Sequence, residues 1–231
     1  MEKGMAKTKI IAIDGACHNN GKVNSDGCGA CIVADVSDSG NYCCNAVTAY
    51  MYERPCTNQR AELHGLLLAL GYINDKPGEY LVVTDSEYIY NAMTKGWLTS
   101  WKYNAWIGSR GDEPIKNVDL WQKISYFYDR IEHLQEPPCF YHIKGHVLSI
   151  GKVTRNRILE KDSSLLLDAL FDKYSDDYGK IYPRIKAAQE CSMRINGFEF
   201  TFEQLCMFAV LNTMADCIAS YSLDYVVGKS S

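Results

Sequence analysis

The sequence predicts an α/β fold, a mixed sheet flanked by helices and interrupted late in the chain by a mainly helical insertion. Three observations carry that expectation. Apolar runs at 8–13, 28–36 and 41–52, separated by turn-forming residues, read as a three-strand meander. An amphipathic stretch then crosses to a fourth apolar run, and strands alternating with helices around such a crossover build a layered sheet. Residues 147–211 break the rhythm, with helical patches at 165–171 and 203–210 and no alternation of β-branched residues.

Each element has its own signal. The first run ends at Asp14-Gly15, and the second follows a turn rich in Gly and Asn. Across 58–74, Leu63, Leu66, Leu67, Leu70 and Ile73 recur at helical spacing, and Pro77-Gly78 closes that helix. Strand 80–84 stops at Asp85-Ser86, two favourable N-cap residues, which start a second helix reaching about Lys95. A Trp-rich segment fills 97–121, and a last β run at 139–144 follows Pro137-Pro138 and leads into Gly145-His146. The expected organisation is one domain, 8–146 plus 212–226, with the insertion 147–211 inside it.

With 231 residues, 47% hydrophobic and 23% charged, the chain is long enough for one core with an elaboration. That composition excludes disordered, collagenous and coiled-coil classes. No window approaches the roughly 20 apolar residues of a membrane span, and no secretory signal opens the chain, so the expected compartment is the cytoplasm. The ten cysteines sit mostly in apolar runs. Cys28/Cys31 and Cys43/Cys44 fall in strands, where those spacings send side chains to opposite faces, so reduced core thiols are expected rather than a zinc site. Twenty-four basic against 28 acidic residues give a net charge of −4. Setting aside four carboxylates gathered at a cation site would leave 24 against 24, so net charge does not exclude a nucleic-acid partner.

Four carboxylates stand out. Asp14 and Asp85 each directly follow an apolar strand, where open α/β sheets place ligand-binding groups; ordinary turn or cap roles are the plainer alternative. Glu62 reads as a first-turn residue of the 58–74 helix, where it could simply complement the helix dipole. Asp216 interrupts a buried face formed by Leu211, Ala215, Ile218 and Ala219, and alone would read as a solvated polar residue.

Taken in order, Asp14-Gly15, Thr57-Asn58-Gln59-Arg60-Ala61-Glu62-Leu63, Thr84-Asp85-Ser86, Lys144-Gly145-His146 and Asn212-Thr213-Met214-Ala215-Asp216 resemble ribonuclease H of type 1. Trp97, Trp101 and Trp106, with the 114–121 stretch, resemble that family's protrusion and the helix after it. The resemblance implies an RNase H-like fold with a five-stranded mixed sheet, the Asp14 and Asp85 strands being neighbours. It also implies catalytic carboxylates at Asp14, Glu62, Asp85 and Asp216, and a histidine at His146 that assists proton transfer or product release. His18, His64, His133 and His142 carry no such expectation.

From that resemblance the expected activity is hydrolysis of the RNA strand of RNA-DNA hybrids, a hydrolase and endonuclease reaction giving 5′-phosphate and 3′-hydroxyl ends. An all-oxygen donor set calls for two Mg²⁺ ions, with Mn²⁺ as the other choice, which would activate water and stabilise the leaving oxygen. Asn58 and Gln59 are the expected contacts to RNA 2′-hydroxyls. Asn20 and Thr57 resemble the pocket that fixes a DNA phosphate, and Trp97 with Trp101 serve stacking or core packing. The partner is therefore an RNA-DNA hybrid duplex, with no membrane, no small-molecule cofactor and a monomeric chain. Two other classes remain open: a catalytically weak RNase H-like nucleic-acid-binding module, and a DNA nuclease of the resolvase or integrase type.

The pattern departs in places. His146 and Asp216 are 70 positions apart, Asp162 competes for the fourth carboxylate, Thr213 replaces a usual Glu, and Glu87 stands where a Gln often contacts RNA. The protrusion mixes Lys95, Lys102, Arg110 and Lys116 with Asp112 and Glu113, so weak, salt-sensitive hybrid binding is expected of it. The insertion, with nine basic and nine acidic residues, could be a lid, a substrate handle, a docking surface or padding; its neutral balance argues against a phosphate grip.

Overall fold

A computed structural model describes residues 8–36, 42–108, 111–148, 150–160, 169–170, 172, 182–186 and 200–229; for 36, 42–49 and 229 it gives backbone only. Five strands form one sheet: β1 (Thr8–His18), β2 (Asp26–Val36), β3 (Tyr42–Glu53), β4 (Glu79–Thr84) and β5 (Cys139–His142). Their spatial order is β3-β2-β1-β4-β5. The meander pairs antiparallel, while β4 joins β1, and β5 joins β4, in parallel. This is the five-stranded mixed sheet of an RNase H-like fold.

Six described helices flank it: α1 (Asn58–Asp75), α2 (Glu87–Thr94), α3 (Trp97–Tyr103), α4 (Val118–Leu134), α5 (Lys152–Leu159) and α6 (Phe202–Lys229). The period-2 pleat of β1 divides the core into two layers. Ile11 and Ile13 face α1, α2 and α4, packing with Leu63, Leu66, Leu70, Ile89 and Trp121. Ile10 and Ala12 face α6, packing with Phe208, Leu211, Met214 and Ala215. Leu170 and Ile185, from within the 147–211 stretch, are buried in that second layer.

Helix α1 forms where the leucine spacing predicts. Thr57 caps it, its Oγ1 accepting the Arg60 N–H at 3.3 Å. It also lies unusually close to β1. A Cβ on Gly15 would fall onto the backbone at Ala61 and Glu62 and 2.8 Å from the Ala61 Cβ, so only glycine permits this approach.

Several sequence expectations shift. β1 continues past Asp14 to His18, because its antiparallel partner β2 extends further than its parallel partner β4. Asp14 is thus inside a strand, though just beyond the parallel pairing. β5 stops at His142 rather than 144. Glu62 is the fifth residue of α1, in its second turn, and no acidic residue occupies the first turn, which weakens the dipole reading. The patch at 203–210 is not separate from Asp216: both belong to α6, 28 residues long. That helix is also long and apolar enough to cross a membrane, which the sequence scan missed; 83% of its most apolar window is buried in the protein, as in a central core helix.

Candidate active site

β1 and β4 are registered with Ala12 opposite Val83, and extending that register two places sets Asp14 level with Asp85. Asp14 shares strand parity with Ile10 and Ala12, so its side chain leaves β1 on the α6 side. The residue is 8% exposed, and its carboxylate accepts the Gly15 N–H at 2.6 Å. Asp85 sits in the one-residue gap between β4 and the α2 cap, Ser86, whose Oγ accepts from the Ile89 N–H at 3.4 Å. The same Ser86 hydroxyl donates to Glu62 Oε2 at 2.5 Å, joining the α1 carboxylate to the β4 end. Asp216 arrives on α6, which docks on β1 through Asn212, whose Nδ2 donates to the Ile13 carbonyl at 3.4 Å.

The electrostatics tie all four together. Burial first, then the charges of Asp85 and Asp216 and also that of Glu62, push the Asp14 carboxyl well above the usual range. Burial also raises Asp85, where His146 and His142 oppose the shift and Asp216 adds to it. Glu62 is raised by burial and by Asp85, against the Ser86 hydrogen bond. Among the described residues none of the four makes an ion pair with a Lys or Arg. The neighbouring Cys217 thiol is pushed up to about 12 by burial and by Asp216, so no thiolate competes there.

Such a cluster fits a hard divalent cation by its chemistry: oxygen donors, surplus negative charge and no soft ligand. As placed, no three His, Cys, Asp or Glu side chains among the described residues stand close enough to hold an ion. A bound cation would therefore draw the carboxylates together, and its charge would offset the burial cost and mutual repulsion that raise them.

His146 lies on the loop after β5, exposed, with φ 55°. Its charge reaches Asp85. Gly145 fits tightly there, since a Cβ would overlap the Asp85 carboxylate. Sequence reasoning missed His142: its Nε2 lies 3.2 Å from the Asp85 carbonyl oxygen, and its ring packs on Tyr90 at 5.7 Å. Nothing in the sequence signals that tertiary contact. The Ser86 link to Glu62 was also missed, though the Thr84-Asp85-Ser86 motif contains it. Asp162 lies outside the described residues. Thr213, buried, donates to the Ala209 carbonyl at 2.8 Å inside α6.

The expected substrate contacts are partly gathered. Asn20 Oδ1 accepts the Asn58 N–H at 3.2 Å, and Asn58 and Gln59 are exposed at the start of α1. Thr57 lines a cavity of about 570 Å³ with Lys22, Arg54, Cys56 and Arg60. Trp97 and Trp101 share a face of α3, their rings 6.0 Å apart. Trp101, half-buried, packs against the core on Trp121 at 5.1 Å, whereas Trp97 remains 37% exposed.

The family model described as RNase H matches residues 6–158. This chain belongs to the RNase H family. Among relatives, the ribonuclease H of Ruegeria pomeroyi is 43% identical over 94 residues, 41% of this chain and 56% of that protein. The match thus spans just over half of that relative. The ribonucleases H of Caldicellulosiruptor saccharolyticus and Chlorobaculum parvum are 30% and 32% identical, over 61% and 62% of this chain and 85% and 86% of theirs. Among solved structures, the foamy viral protease-reverse transcriptase in complex with dsDNA aligns with a TM-score of 0.50 at 20% identity, over 62% of this chain and 84% of that one; at that identity the likeness speaks to fold alone. Asp216 lies beyond the residues matched by the RNase H model. Its place in the site rests on α6 and on the field it exerts at Asp14 and Asp85.

Proposed function

We propose that this RNase H family chain is an endonuclease that hydrolyses the RNA strand of RNA-DNA hybrids, leaving 5′-phosphate and 3′-hydroxyl ends. The observation that carries the reading is that one buried carboxyl, Asp14, feels Asp85, Asp216 and Glu62 at once, from three other elements. Relatives named ribonuclease H support the substrate class.

In this reading Asp14, Glu62, Asp85 and Asp216 hold two Mg²⁺ ions, or Mn²⁺. Bound there, the cations supply Lewis acidity and charge neutralisation at the scissile phosphate. The protein's own groups do the rest. Ser86 orients Glu62, Asn212 fixes the helix carrying Asp216, and the His142 ring braces Asp85 through its carbonyl. His146, exposed on its loop, takes or returns a proton near Asp85. Asn58 and Gln59 meet RNA 2′-hydroxyls, while Asn20 and Thr57 hold a phosphate of the DNA strand. The chain acts as a monomer on the duplex.

The test is cleavage of matched RNA-DNA, RNA-RNA and DNA-DNA duplexes in Mg²⁺, Mn²⁺ or EDTA. Metal-dependent cutting of the hybrid's RNA strand alone supports the proposal. Cutting of DNA duplexes favours the resolvase-type reading, and binding without cutting favours the non-catalytic module.

A further inference from the structure

The near-neutral charge of the 147–211 stretch conceals a local asymmetry. Residues 137–159 contain no Asp or Glu, but hold Lys144, Lys152, Arg155 and Arg157. Most of that run is the loop bearing His146 and the helix α5, so the cations collect beside the carboxylate site rather than across the insertion.

The structure sorts them into two roles. On the inner face of α5, Ile158 and Leu159 pack against the α6-side core. Arg155 Nη2 and Lys152 Nζ reach Asp224 Oδ2 on α6 at 2.8 and 3.1 Å, and His18 Nε2 of β1 reaches the other oxygen at 3.4 Å. One carboxylate thus pins α5 to the helix that carries Asp216, eight residues earlier. On the outer face Val153, Thr154 and Arg157 are exposed, as are Lys144 and His146 on the preceding loop. Glu160, immediately after α5, is the nearest acidic residue in sequence. Asp224 faces two full cations, so it leaves this surface positive.

We propose that the outer face of α5, with Lys144 on the adjoining loop, is a second nucleic-acid contact, gripping the phosphate backbone of the duplex beside the carboxylates. The inference rests on the hybrid-cleaving function proposed above. It assigns part of the insertion a role that the average charge hides. Arg157 on a helix anchored through Asp224 to α6, with Lys144 on the loop before it, adds affinity without reading sequence. They also offset the protrusion, where Lys102 is already paired with Asp129 at 2.5 Å.

The test compares Lys144→Ala/Arg157→Ala with the parent chain. Both side chains are exposed, so the thermal midpoint should hold, and Arg157→Lys should keep binding because a point charge suffices for phosphate. Hybrid affinity is measured by anisotropy across a salt series in an Asp14→Asn background, which leaves the duplex uncut. Losing two phosphate contacts should lower the slope of log affinity against log salt by about 2. In the active chain, KM for the hybrid should rise several-fold at unchanged kcat. An unchanged slope and KM in a chain that still binds and cuts hybrid would overturn the α5 contact alone, leaving that face to a protein partner. Failure of the parent chain to bind any hybrid would overturn both this contact and the proposed function.

Discussion

Gly15→Ala isolates the approach of α1 to β1 that brings Glu62 to Asp14. The added methyl would lie 2.8 Å from the Ala61 Cβ and on top of the adjoining α1 backbone. Carbon atoms prefer separations of about 3.5 Å or more, and the clash with the α1 backbone is tighter than that with the Ala61 Cβ, so α1 must retreat by about 1 Å at the residue beside Glu62. No flexible side chain can absorb that shift, and Leu63, Leu66 and Leu70 pin the helix to the sheet. Overpacking of this kind costs about 1–3 kcal/mol, or roughly 2–12 °C in Tm for a chain of this size. The functional cost should be larger, because misplacing a catalytic group by about 1 Å can reduce rate by roughly 10². The assay is kcat/KM on a labelled RNA strand in hybrid, alongside a thermal melt. A variant with both activity and Tm at parent level would refute the close packing of α1 on β1, and with it the position given to Glu62.

Other consequences follow from the same geometry. Asp14→Asn should abolish cleavage while raising Tm at neutral pH in EDTA, because it removes one of the clustered charges that burial and Asp85 oppose; a lower Tm would contradict the repulsion argument. Saturating Mg²⁺ should stabilise the parent chain, by about 2.7 kcal/mol at a hundredfold excess over Kd, and should do so far less in Asp14→Asn. Arg60 bridges Glu53, at 2.7 and 2.5 Å, and Asp119, at 2.9 and 2.7 Å. Arg60→Ala should therefore cost roughly 1.5–3 kcal/mol in denaturant melts, from lost hydrogen bonds to charged groups. Burial raises Glu53, but bonds from Arg60 and His64 outweigh it and hold the carboxyl below its usual range, and Arg60 does the same for Asp119. A depressed carboxylate adds stability above its unfolded pKa of about 4, and this is lost as pH falls through the folded value. The gap between parent and Arg60→Ala should therefore narrow below about pH 4, and a gap that widens there would contradict the assignment.

Much of the site was legible where local chemistry and function coincide. The leucine spacing marks α1 and Ser86 the start of α2, so Asp85 could be placed from the sequence and Glu62 to within one turn. Asp14 was found for a partly mistaken reason, since β1 runs on beyond it and only the parallel pairing with β4 ends nearby. What stayed hidden depends on contacts distant in sequence. α6 is buried over most of its surface, so it lacks the polar-apolar contrast that would have marked its true start at Phe202. The brace from His142 to the Asp85 carbonyl, and the Asp224 anchor for α5, join residues 57 and 69 positions apart. The charge asymmetry of 137–159 was present in the sequence but vanished when averaged over the longer stretch.

The central claim is that Asp216, delivered from beyond a long insertion, completes the site begun by Asp14, Glu62 and Asp85. The most direct measurement is hybrid cleavage by Asp216→Asn beside the parent chain, in Mg²⁺ and in Mn²⁺. Loss of RNA-strand cleavage with an intact fold and retained hybrid binding is the expected result. Parent-level cleavage by that variant would contradict the account and move the fourth carboxylate elsewhere, with Asp162 the first to examine.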